Sequence, residues 1–186
     1  MFIMKILFYF LIIYLCILII SPVRYTYLLP SFYIYPDNET EVFEVEQKIR
    51  ERTQEDIDFF YLTDRSVSEA FVDIVPLTVE ELDYIISQVN ITILSLKYII
   101  NRARPNQINP KLNVLKSNTS HTPAYPAGHA FQAYYLSKIL GKQYPELQHT
   151  LNLTAEKCDQ VRVAAGLHFP SDGLFAKNIV DILYSS

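Results

Sequence analysis

Apolar residues at Val79, Leu82, Ile86, Val89, Ile93, Leu96 and Ile100 are separated by gaps of three and four. Such gaps follow the 3.6-residue period of an α-helix and collect the apolar side chains on one face. Thr78 stands where an N-cap belongs, with Glu81 three positions on as its capping-box partner. No stretch of the chain sustains the two-residue alternation of a half-buried strand, and no internal repeat is visible. A chain patterned in this way is expected to be all-α, a single helical bundle domain.

Breakers divide the rest of the bundle. Glu41 to about Tyr61 reads as a surface helix, and a shorter helix near Ser66–Val75 is closed by Pro76. Residues 105–125 hold Pro105, Pro110 and Pro123 among many Asn and Ser. They read as a long loop of the kind that often shapes a functional site. A helix is expected from Pro126 through Phe131, Tyr135 and Ile139 to Gly141, and another over Thr154–Ala165, stopped by Gly166. The last is expected to begin at Ser171 or Asp172 and to pack through Leu174, Phe175, Ile179 and Ile182.

The N-terminus has a different character. Ile6 to Ile20 carries no charge and no strong breaker, and Met1–Ile20 is apolar apart from Lys5. Twenty such residues can cross a bilayer. No small-x-small cleavage pattern follows, since the chain runs Ile20-Ser21-Pro22-Val23-Arg24, so an uncleaved signal anchor is favoured over a cleaved signal peptide. Lys5 and Arg24 on the two flanks give little charge bias for orientation. The expected organisation is an anchor over 1–20, a Pro- and Tyr-rich linker over 21–40 and the helical domain over 41–186. Sequons at Asn38, Asn90, Asn118 and Asn152 exceed the roughly one expected by chance. They hint at a lumenal or extracellular domain, against a plain reading as polar surface. The formal charge of −4 argues against a general nucleic-acid surface. Cys16 and Cys158 are too few for a disulfide framework, and no Cys/His spacing suggests a metal site.

Three short stretches carry the chemistry. In the first, Lys97 and Arg104 are seven residues apart, two helical turns, and Pro105 places Arg104 at a helix end. On its own, Lys97-Asn101-Arg102-Arg104 reads more readily as a solvated basic C-terminus complementing the helix dipole. In the second, Pro126-Ala127-Gly128-His129 opens a helix whose free N–H groups can bind an anion. Gly128 lets the backbone approach a ligand, and His129 projects from the first turn. In the third, Arg162 precedes a break containing His168, and Asp172 opens the next helix. A carboxylate near a histidine can accept its ring N–H, fix the tautomer and free the other nitrogen to attack. Capping the last helix is a second role open to Asp172.

In order and spacing, Lys97-x6-Arg104-Pro105, Pro126-Ala127-Gly128-His129 and Arg162-x5-His168-x3-Asp172 resemble the motifs of the type-2 phosphatidic acid phosphatase superfamily. That superfamily includes class A acid phosphatases, membrane lipid phosphatases and vanadium haloperoxidases. The resemblance spans residues 97–172. It implies the helical fold of that superfamily, with His168 as a nucleophile forming a phosphohistidine, Asp172 orienting it and His129 as the general acid. It further implies that Lys97, Arg104, Arg162 and the Gly128 amide hold the phosphate oxygens, with no metal and no cofactor. Fixed cations can stabilise a phosphoryl group in transfer, and covalent catalysis divides the hydrolysis into two steps.

Two positions depart from the pattern: Ala127 and Val161 each stand where the superfamily has serine. Loss of one hydroxyl donor to a charged group costs roughly 1.5–3 kcal/mol, which bears on rate rather than on reaction class. With one apolar segment and amphipathic motif-bearing helices, the chain looks closer to an acid-phosphatase domain on a single anchor than to a six-span lipid phosphatase. The expected activity is hydrolysis of a phosphomonoester or diphosphate, on a lipid or a small molecule. The expected location is a membrane entered through the N-terminal helix, with secretion after cleavage as the alternative. A vanadate-dependent haloperoxidase and a catalytically weak phosphate-binding membrane protein are the alternative functions.

Overall fold

The computed structural model describes residues 34–184, together with Tyr9 and Ile12. The expected anchor over 1–20 and most of the linker therefore lie outside the described residues. Among the described residues every regular element is helical, and no helix is long and apolar enough to cross a membrane. The helices are α1 (Asn38–Glu51), α2 (Gln54–Thr63), α3 (Val79–Ser87), α4 (Asn90–Ile100), α5 (Pro105–Ile108), α6 (Gly128–Gln143), α7 (Gln148–Ala164) and α8 (Pro170–Leu183). Short 3₁₀ turns occupy Val67–Ala70 and Pro145–Leu147.

Capping chemistry sets several boundaries and corrects two expectations. The helix expected from Glu41 begins at Asn38, because Asp37 accepts a hydrogen bond from the Thr40 N–H at 2.9 Å. It does not run on to Tyr61. Thr53 and Asp56 form a reciprocal capping box that ends α1 and starts α2. The Thr78–Glu81 box at the start of α3 is present as expected. The long helix expected over Val79–Ile100 is two, because the turn tightens at Gln88 and Val89, whose N–H groups bond three residues back instead of four. The buried stripe survives that change: Leu82, Ile86, Val89, Ile93 and Ile100 are all buried.

α6 is the central helix. It packs most extensively on α7 and then on α8. On one side Leu136 and Leu140 meet Phe71, Leu82, Leu151 and Ala155. On the other, Ala130, Phe131 and Tyr135 meet Val89, Ile93, Ala176 and Val180. Fully burying one such side chain contributes about 2 kcal/mol against the entropy of ordering the chain. Two smaller clusters flank the junction of α7 and α8: Val42, Val45, Val163 and Phe169 on one side, Phe60, Val161, Ala165 and Leu167 on the other. Val161 is thus a packing residue, and Ala127 is likewise wholly buried against apolar neighbours.

The connection between α7 and α8 turns at Gly166, whose φ of 78° favours glycine, and a Cβ there would press on Ile49 and Val114 at 3.0 Å. The segment expected to be loop from 105 to 125 contains α5. Pro105 suits its first position, and the Gln107 side chain accepts from the Arg104 N–H at 2.8 Å. The remainder wraps around the bundle and is tied down by its backbone: Leu115 donates to the Ala165 carbonyl and Ala124 to that of Arg102, both at 2.9 Å.

Candidate active site

All seven residues singled out by the three motifs come to one place, but not by the route expected for the first. α4 ends at Ile100, and Asn101 adopts a left-handed conformation with φ 53° and ψ 51°. Arg104 thus follows a turn, in extended backbone, and is not on the same helical face as Lys97. Nor is this stretch a solvated basic helix end, because Lys97, Arg102 and Arg104 are all buried.

His168 is 2% exposed and sits between two groups of opposite kind. Its Nδ1 is 3.0 Å from Asp172 Oδ2, and Arg104 Nη1 is 3.3 Å from its Nε2. A guanidinium can only donate, so Nε2 is the acceptor and the ring proton lies on Nδ1, donated to Asp172. Burial, then the charges of Arg104, Lys97 and Arg162, hold the imidazole well below its usual pKa. It is therefore neutral, with its lone pair on Nε2. Asp172 Oδ2 also accepts from the Phe169 N–H at 2.9 Å, so the carboxylate caps α8 and orients His168 at once.

The cations converge on the same imidazole. Lys97 Nζ donates to the carbonyls of Pro123 at 2.7 Å and Ala124 at 3.3 Å. Arg104 donates to the carbonyls of Thr122 at 2.8 Å and Leu167 at 2.9 Å. Burial and then repulsion from Arg104 lower the Lys97 pKa strongly. Burial and then Arg162 bring Arg104 down to about 10. Among the described residues neither cation has a carboxylate in salt-bridge contact, since Asp172 is committed to His168, Phe169 and Arg102. Buried cations held by carbonyl dipoles and a neutral imidazole, with no carboxylate partner, favour a bound anion. Arg162 gives Nη1 to Asp64 Oδ1 at 2.8 Å, and its buried Nε has no hydrogen-bond partner among the described residues.

The helix expected at Pro126 starts at Gly128, with Ala127 as the cap. The first intrahelical bond runs from the Phe131 N–H to the Ala127 carbonyl, so the N–H groups of Gly128 and His129 precede it. A Cβ on Gly128 would meet the Lys97 stem at 3.4 Å, an ordinary contact distance, so the helix starts directly beside that cation. His129 Nε2 lies 3.0 Å from the Asp64 carbonyl and must be the donor there. Burial and then Arg162 push its pKa down to about 3, so in the ligand-free site His129 is neutral. The negative charge of a bound phosphate is the influence that would raise it.

Three residues missed in the sequence complete the site. Asp64 accepts from Arg162, Ser117, Asn118 and Thr119, while its backbone carbonyl takes His129. Arg102 is fully buried and bonds to Asp172, Ser171, Asn38 and Glu41. Glu41 closes that network by accepting from the Ser171 N–H and hydroxyl. Arg102 lies within the first motif, where the sequence shows it only as one more basic residue near a helix end. Asp64 and Glu41 carry no local signal at all. The tie to Arg102 also places the side chain of the Asn38 sequon in this network, whereas Asn90, Asn118 and Asn152 are exposed.

Compared by sequence, the chain matches no family model and none of the curated proteins.

Proposed function

We propose that the protein is a phosphatase that hydrolyses a phosphomonoester or diphosphate through a phosphohistidine on His168. The single observation that carries this reading is the state of His168: Nδ1–H is anchored on Asp172 and Nε2 is left as a lone pair facing Arg104. Lys97, Arg104 and Arg162 supply the charge that the equatorial oxygens of a transferring phosphoryl group require.

In the first step the Nε2 lone pair attacks phosphorus and the bond to the leaving oxygen breaks. Arg104 exchanges its contact with Nε2 for one with a phosphate oxygen. A protonated His129 gives its Nδ1 proton to the leaving oxygen, Nε2–H staying on the Asp64 carbonyl. In the second step neutral His129 takes a proton from water, the hydroxide attacks phosphorus, and the P–N bond breaks with its electron pair returning to Nε2. The resemblance to type-2 phosphatidic acid phosphatases supports the same assignment. The apolar N-terminal segment supports a single membrane anchor, and the exposed sequons at Asn90, Asn118 and Asn152 support a lumenal or extracellular domain, with a phosphorylated lipid or small molecule near a membrane as substrate.

The test is turnover of a chromogenic phosphomonoester in the presence of a chelator, with vanadate as inhibitor, and acid-labile labelling of His168 in a rapid quench. Turnover that persists in His168→Ala without a trapped phosphohistidine would overturn the mechanism.

A further inference from the structure

The side chains of Glu41, Arg102, Asp172 and His168 form one buried chain of hydrogen bonds. Glu41 Oε2 is 2.6 Å from Arg102 Nη2, Arg102 Nη1 is 2.6 Å from Asp172 Oδ1, and Asp172 Oδ2 is 3.0 Å from His168 Nδ1. Arg102 has no exposed surface. Its guanidinium is stacked on Phe169 at 4.0 Å and on Tyr35 at 4.4 Å, so its plane is fixed as well as its donors. The segment before α1 joins in through the Pro36 carbonyl and Asn38. An arginine in the anion cradle would point its donors at the anion. Arg102 instead spends them on the far side of Asp172.

We propose that Arg102, clamped by Glu41, is a positioning residue that keeps Asp172 an acceptor and so fixes the proton of His168 on Nδ1. The proposal rests on His168 being the nucleophile, as argued above, but its primary readout does not need turnover.

A carboxylate has two ways to meet a neutral imidazole. Ionised, it accepts from Nδ1–H and leaves Nε2 free to attack. Protonated, it can donate to Nδ1, which moves the ring proton to Nε2 and removes the nucleophile. Burial pushes Asp172 toward the protonated form, and the first influence holding it back is Arg102, ahead of the Phe169 N–H and Lys97. The other charged or titratable groups felt at Asp172 are His168 in the α7–α8 connection, Arg104 before α5, Asp159 on α7 and Tyr125 in the wrapping loop. Glu41, on α1, acts from behind Arg102. Arg102 alone among these places a full opposite charge in direct contact with the free oxygen of Asp172.

The experiment is a long-range proton–nitrogen correlation spectrum of the ¹⁵N-labelled full-length chain, with the His168 signals assigned by their loss in His168→Asn. Wild type is expected to show Nδ1–H across neutral pH. Arg102→Gln is expected to show Nε2–H near pH 6 and to return to Nδ1–H as the pH is raised. Its kcat on a phosphomonoester should fall at least about 10-fold near pH 6, with KM little changed and part of the loss regained at higher pH. Arg102→Lys, which keeps the charge, should lie between the two. A folded Arg102→Gln with the wild-type tautomer and pH profile overturns the proposal. Should Arg102→Gln not fold, Glu41→Gln decides: a tautomer or acid limb shifted in the same direction supports the proposal, and an unchanged one overturns it. If wild type turns over no phosphomonoester, the phosphatase reading fails while the tautomer comparison still decides the role of Arg102.

Discussion

Arg104 Nη1 donates to His168 Nε2 at 3.3 Å, so in the proposed mechanism the cation that would hold the phosphate also covers the proposed nucleophile until substrate arrives. The same nitrogen donates to the Leu167 carbonyl and Nε to the Thr122 carbonyl, so the guanidinium is held at two points of the wrapping loop and the α7–α8 connection. A lysine ammonium is a point charge that cannot reproduce this fork. Arg104→Lys is expected to lower kcat/KM by about 2 kcal/mol in transition-state terms, roughly 30-fold. Steady-state kinetics check this, and a loss below about threefold would mean that only the charge of Arg104 matters.

Asp64 holds Arg162 through its carboxylate and His129 through its carbonyl. Burial raises the Asp64 pKa, but the Ser117 hydroxyl and Arg162 outweigh it, and the carboxyl is held below its usual range. Asp64→Asn leaves the carbonyl in place and removes the charge, stranding the buried guanidinium. The expected cost is about 3 kcal/mol of folding stability. Orthovanadate should bind more tightly to the variant, because Arg162 loses its internal anion. Denaturant unfolding and vanadate titration read the two effects separately; equal vanadate affinity in variant and wild type would show that Asp64 does not compete for the site.

The motif residues were legible because their spacing is local: Gly128 and His129 are adjacent, and His168 and Asp172 are one helical turn apart. Glu41, Asp64 and Arg102 were not, because their partners lie 53 to 130 residues away along the chain. No periodicity records such a pairing. The helix breaks failed for a different reason. Thr53 and Asp56 form the same kind of box as Thr78 and Glu81, but they interrupt a charged amphipathic run whose period continues across them. At Gln88 and Val89 the buried stripe likewise continues through the tightened turn, so the apolar pattern carried no mark of the break.

His129 has its pKa lowered from 6.5 to about 3 in the fold. Between those values the unfolded chain binds a proton that the folded protein does not, so this histidine makes stability fall as the pH drops from about 6.5 toward 3. In His129→Gln the dependence of Tm on pH over that interval should be shallower than in wild type. Phosphate or vanadate should also flatten the wild-type curve, since a bound anion favours protonated His129. Thermal melts from pH 4 to 7 test both, and parallel curves for variant and wild type would remove His129 from the account.

Asp159 works in the opposite sense on the other side of α8. Its Oδ2 accepts from the Tyr134 hydroxyl at 3.1 Å, its buried Oδ1 has no partner among the described residues, and it packs against Gly173 so closely that a Cβ there would overlap it. Burial above all raises its pKa from 3.8 to about 7. Between those values the folded protein binds the extra proton, so stability falls as the pH rises from about 4 to 7 and stays lower beyond. Asp159→Asn keeps the shape and removes the ionisation. It should stabilise the protein at pH 8 by about 2 kcal/mol and have little effect near pH 3, where the carboxyl is largely protonated in both states. A Tm shift equal at the two pH values would mean that the unpaired oxygen, and not its charge, is what the fold tolerates at this position.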